Sequence, residues 1–197
     1  MKIEDGDFRV RLTRKMLIEA FLQLRRQKPL RKITVSELCS LAGVGRGTFY
    51  AHFTDIYDLN EKLEDKFLAD FSAALRGALE EKAGLQSTRR ICRTVFALLE
   101  ENEQLCQLLL AADNAGGAAR FVELGGQLCA EYYRTAVGDV PPKKLADFYL
   151  FVSSGCISCL RARLRAEERP PVEQFADEMS EFINKGVRAL LPSRPSV

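Results

Sequence analysis

Apolar residues recur every three or four positions along almost the whole chain, and no stretch alternates for long enough to make a strand. The pattern predicts an all-α protein. A first helix is expected over about 7–27, with Val10, Leu17, Phe21 and Leu24 on one face and Pro29 just beyond its end. Thr34-Val-Ser-Glu37 has the form of a capping box: the Thr hydroxyl accepts an N–H of the first turn and the Glu bonds back. The short helix that follows stops near Ala42, where Gly43 can take positive φ. A second short helix spans about 46–52. Thr54 is expected to cap a long helix over about 55–82, with Leu59, Phe67 and Leu75 in register. Asp55 and Asp58 fall in its first turn, where the helix dipole favours acids. Gly84 breaks it. Further helices fit about 87–100, 103–112, 118–137, 143–168 and 171–191, with a loop at 113–117, breaks at Gly138 and at 169–170, and a disordered tail from 192.

With 197 residues, 47% hydrophobic and 28% charged, the chain is long and apolar enough to bury a core without staples. A single His argues against a His-based metal cage or a His-dependent catalytic triad, so neither a metal, a cofactor nor an enzymatic role is expected. The net charge of +2 hides an asymmetry. Residues 1–54 hold 11 Lys and Arg against 5 Asp and Glu, whereas residues 55–197 hold 18 against 22. A basic head on an acidic body points to an anionic partner for the head, nucleic acid first. No apolar run approaches the roughly 20 residues of a membrane helix, and the charged N-terminus does not resemble an export signal. A cytoplasmic protein with no membrane contact and reduced thiols is therefore expected. The six cysteines fall mostly within apolar helical patterns, where Cys packs as a small hydrophobe. Cys156-Ile-Ser-Cys159 is read as packing, both thiols on one face turned to core or interface, rather than as a redox or metal motif. Oxidant sensing by cysteines of the body, and a fold reused for catalysis, are the competing readings.

The informative stretch is 34–53, TVSELCSLAGVGRGTFYAHF. Helix, tight glycine turn and helix within about 20 residues have the dimensions of a helix-turn-helix. Val35, Leu38, Ala42, Val44, Phe49 and Phe53 can close a small core. That leaves Arg46, Gly47, Thr48, Tyr50 and His52 on an exposed face. Such a helix can enter a major groove: Gly45 and Gly47 allow close approach, and Arg46 can reach a guanine edge. Thr48, Tyr50 and His52 suit phosphate oxygens.

This string, from Ile33 to Phe53 with Asp55 and Leu59 beyond it, resembles the TetR family of transcriptional regulators. Ala-Gly-Val, a small residue, then Thr-Phe-Tyr-x-His-Phe is the specific part, and Arg9 to Lys15 with Ala20-Phe21 fit the family's first helix. The resemblance implies a three-helix DNA-binding domain over 1–53 and a helical ligand-binding and dimerisation domain over 54–197. It implies a homodimer on a pseudo-palindromic double-stranded operator, acting as a repressor released by a small molecule. The DNA-binding residues it implies are Thr34, Ser36, Gly45, Arg46, Gly47, Thr48, Tyr50 and His52. Two departures stand out. Gly45 replaces the usual Ser or Thr cap, and Asp55, Ile56 and Tyr57 stand where family members often carry a Lys.

The last two helices carry broad apolar stripes, Leu145 through Leu164 and Val172 through Leu190, with Phe182 in the second. Such stripes are core or interface, and the resemblance favours interface. A family ligand pocket would fall near Phe67, Phe71, Phe96, Phe121, Tyr132 and Tyr149, although aromatics at helical spacing are mostly core.

Overall fold

The computed structural model describes residues 3–80, 85–110, 115–137 and 140–190. Among these there are nine α-helices and no strand: α1 Ile3–Gln27, α2 Val35–Ala42, α3 Arg46–Tyr50, α4 Ile56–Leu79, α5 Leu85–Glu101, α6 Glu103–Leu109, α7 Ala115–Val137, α8 Pro142–Arg165 and α9 Val172–Arg188. The chain divides into two compact units, Met1–Phe67 and Leu68–Val197, the division falling within α4. The expected breaks at Gly84 and Gly138, most of the loop at 113–117 and the tail from 192 lie outside the described residues.

The first unit is built on Leu17, Phe21, Leu38, Phe49 and Leu59, all fully buried. Ile33, Phe53 and Ile56 complete the core, with Val35 and Val44 packed at its edge. Val10 does not join them: it is 51% exposed, because only the second half of α1 crosses the core. Thr34 caps α2 as expected, its Oγ1 accepting the Glu37 amide at 3.2 Å. Glu37 does not bond back. Its carboxylate takes the Lys28 ammonium from the end of α1 instead. Gly43 adopts φ +67° and closes α2: its amide donates to Ser40 O and that of Val44 to Cys39 O, a left-handed helix stop.

α3 ends at Tyr50, two residues short of expectation, and His52 lies in the turn beyond it. The His52 and Phe53 amides both reach back to Phe49 O, which tightens the chain and drops Phe53 into the core. α4 is capped by Asp55 rather than Thr54. Asp55 Oδ1 accepts the Asp58 amide at 2.8 Å, and Asp58 Oδ2 accepts the Thr54 amide at 2.8 Å.

In the second unit α5 packs along α9, and α7 along α8. Phe96 of α5 meets Phe175 of α9 edge to face at 4.9 Å. Three arginines tie the helices together. Arg163 is buried, with Nη2 donating to Glu100 and Nη1 to the Pro170 carbonyl, both at 2.7 Å. Arg169 binds Glu103 through two bonds of 3.0 Å, and Arg93 binds Asp177 through bonds of 2.8 and 2.6 Å. These pairs explain why α8 stops at Arg165, three residues early: Arg163 and Arg169 hold the turn between α8 and α9 against α5 and α6. Of the arginines at 161, 163 and 165, only Arg165 is exposed.

A side chain at Gly43 meets nothing within 4 Å, so any penalty there is backbone strain alone. Gly43→Ala should cost about 1–2 kcal/mol, and Gly43→Asn less, since Asn tolerates the left-handed region. Urea unfolding should show a lower midpoint with an unchanged slope.

Candidate nucleic-acid interface and cavity

α2 and α3 are held at a fixed angle by a shared core, and their outer faces are solvated. Thr34, Ser36, Gly45, Arg46, Gly47, Thr48 and Tyr50 are all exposed, and His52 is half-buried. Gly45 precedes α3 in extended conformation, without a side-chain cap. No atom lies within 4 Å of a Cβ placed on Gly47, so the α3 backbone is open to close approach there. The Tyr50 ring packs against the Phe49 ring in a T-shaped pair, centroids 5.4 Å apart, and is half exposed. The Thr34 oxygen is committed to the cap, but its proton is still available to an outside acceptor.

The structure adds basic residues that the motif alone does not single out. Lys62, on the second turn of α4, pairs with Asp58 at 2.9 Å, lies 5.6 Å over the Phe53 ring and reaches within 3.5 Å of the His52 carbonyl. With Arg14, His52 and Asp65 it lines a polar depression. The signal was present as an i,i+4 Asp58–Lys62 pair. The Thr54 amide, then Lys62, hold the Asp58 carboxyl below its ordinary value of 3.8.

The second unit contains a cavity of about 120 Å³. Phe71, Phe96, Phe121 and Tyr149 line it, whereas Phe67 and Tyr132 are buried without reaching it. Three cysteines also face it: Cys92, Cys129 and Cys156. Burial pushes the Cys129 thiol up to about 12 and that of Cys156 up to about 11. Cys92 is raised further, by burial first and then by Cys156 and Cys129. Within the single chain the two cysteines of the Cys156–Cys159 pair differ in burial. Cys156 is half-buried at the cavity and Cys159 is exposed, because one helical step of three residues carries the latter past the packed edge of α8. Among the described residues no cluster of His, Cys, Asp or Glu could hold a metal ion.

α8 is long and apolar enough, by length and composition, to cross a membrane, because Phe, Leu, Val, Ile and Cys fill the charge-free stretch 148–160. Leu150 and Phe151 on α8, and Phe182 on α9, are exposed, Phe151 at 78%.

A basic-headed helix-turn-helix with an open second helix defines a DNA-binding protein. Residues 17–63 match the family of bacterial regulatory proteins of the tetR type. The fold is shared with a TetR transcriptional regulator from Streptococcus agalactiae 2603V (20% identity, 91% of this chain and 98% of that one, TM-score 0.61). It is also shared with the regulator PfmR from Thermus thermophilus (18%, 86% and 97%, TM-score 0.69). The fatty acid degradation regulator FadR from Bacillus halodurans is similar too (13%, 86% and 93%, TM-score 0.68). No curated protein matches the sequence. Residues 17–63 thus carry a tetR-type DNA-binding domain, and the chain as a whole shares the fold of these regulators.

Asp58 gives the first unit an acid limit. Its folded pKa is depressed, so its contribution is complete above the ordinary carboxyl value and is lost as pH falls through the lower folded one. Asp58→Asn should flatten the acid limb of the stability profile of the first unit, read by thermal melts between about pH 2 and 6.

Proposed function

We propose that the protein is a homodimeric repressor. In this reading residues 1–53 bind a pseudo-palindromic operator in the cytoplasm, and a small molecule taken up within 54–197 releases it. The observation that carries the DNA reading is the solvated face of α3, with Arg46, Thr48 and Tyr50 outward and Phe49 inward. Arg46 is assigned to a guanine edge. Thr34, Ser36, Thr48, Tyr50 and His52 are assigned to phosphates, and Gly45 and Gly47 to close backbone approach. Arg14 and Lys62 join them as backbone contacts and stand in for the cation missing from the start of α4. Two such helices in successive major grooves sit about 34–36 Å apart.

The dimer reading rests on α8 and α9. Phe151, Gly155 and Cys159 recur at four-residue spacing on an exposed stripe, with Ser154 and Ser158 beside them. Small residues flanked by Leu150, Phe151 and Phe182 let a second copy approach closely and cover the apolar rings. An aqueous helix that exposes these rings in the monomer is accounted for by such a partner.

Operator selection followed by titration tests the first part. Log K should fall linearly with log salt, by about 0.9 per phosphate contact. Arg46→Ala should cost about 1–3 kcal/mol and relax one base position per half-site, whereas Tyr50→Phe and Lys62→Ala should weaken all sequences evenly. An unchanged selected motif in Arg46→Ala would remove that residue from base reading. Phe151→Asp tests the second part. Because the ring is exposed in one chain, the variant should stay helical by circular dichroism yet be monomeric by light scattering. A monomeric parent protein at micromolar concentration would sink the dimer.

A further inference from the structure

We infer that the cavity of the second unit is a site for a neutral, single-ring aromatic molecule, held by ring faces and sulfur. The inference rests on reading that unit as the ligand-binding part, and it specifies the chemistry of the ligand. Size comes first. At about 120 Å³ the cavity is close to the roughly 150 Å³ apolar cavity known to stay dry and bind benzene.

Charge comes second. Among the described residues the lining includes no Asp, Glu, Lys, Arg or His. The oxygen donors at the wall are already engaged: Tyr149 Oη donates to the Val122 carbonyl at 3.0 Å, and Ser153 Oγ to the Leu150 carbonyl at 3.2 Å. What faces inward beyond carbon is sulfur, from Cys92, Cys129 and Cys156. These thiols stay protonated at neutral pH, so they offer neither a thiolate for a cation nor a strong donor for a carboxylate. An ionised ligand would be stripped of water with nothing to replace it. A flat π system gains from the same lining: protonated sulfur is soft and polarisable, and the Phe71 and Phe121 rings stand 4.0 Å apart at 35°.

Shape comes third. Tyr149 is a fixed wall. Its hydroxyl is tied to Val122, and its ring lies directly over Gly125 and Gly126 of α7, where a Cβ on Gly126 would come within 2.9 Å of the ring. A Cβ on Gly125 would collide with the Tyr149 hydroxyl. The glycine pair therefore sets how far the ring can retreat, and with it the width of the cavity.

The test titrates the full-length protein with toluene, and with benzoate and benzylammonium as charged versions of the same ring. Binding is read by calorimetry and melting temperature. Toluene should bind saturably, one per chain, and at about a hundredfold excess over Kd raise Tm by about 5 °C or more. The two ions should bind at least tenfold more weakly. Gly125→Ala should push Tyr149 into the cavity and weaken toluene binding at least tenfold. Val95→Ala, at a partly buried lining position, should shift preference from toluene towards naphthalene, and it serves if the glycine variant does not fold. Equal binding of benzoate or benzylammonium, absence of saturable toluene binding, or toluene binding indifferent to the variants overturns the inference. Toluene binding that leaves operator affinity unchanged supports the cavity assignment and overturns ligand release instead.

Discussion

A helix of five residues cannot hold itself together in water, because nucleation costs more than one or two hydrogen bonds return. α3 is such a helix, and it begins at a glycine with no side-chain cap. What keeps it formed is Phe49, sealed from solvent, with Phe53 in the turn behind it. The left-handed stop at Gly43 fixes the path of the chain between α2 and α3. That single anchor sorts the helix into an inner and an outer face. The directions of Arg46, Thr48 and Tyr50 follow from it, and so does the DNA-binding character of the first unit.

The second unit is organised by the opposite means. Its helices are tied by charge at the rim, through Arg93, Arg163 and Arg169, and by aromatic and aliphatic packing inside. Arg163 is the demanding case. A buried guanidinium is tolerated because a carboxylate, a carbonyl and the Phe175 ring all face it. None of these arginines lines the cavity, whose wall is apolar and sulfur-bearing.

Legibility in the sequence followed the range of the forces. The all-α class, the stop at Gly43 and the core residues Leu38, Ala42, Phe49 and Phe53 are local or periodic signals, and they were readable. The departures came from contacts distant in sequence. Lys28 draws Glu37 out of its capping box, and Arg163 and Arg169 end α8 early. α7 begins at Ala115 rather than 118, running through Gly116 and Gly117, the second of them buried. The helix-turn-helix was legible because one short string carries it, and the i,i+4 spacing of Asp58 and Lys62 was legible too, but the place of Lys62 beside His52 was not, since only the folded turn makes it. The cavity was half legible. Four of the six named aromatics reach it, yet no periodicity tells that Cys92, Cys129 and Cys156 meet around one space.

The two units have separate hydrophobic cores, one around Phe21 and Phe49 and one around Phe71 and Cys129. Over evolutionary time this separation lets one unit change without strain on the core of the other. A substitution at Val95 or Gly125 can retune the cavity without disturbing the residues that anchor α3. A substitution at Arg46 can redirect the outer face of α3 without touching the cavity. Gene duplicates of such a chain can diverge in one unit while the other is held, one mutation at a time.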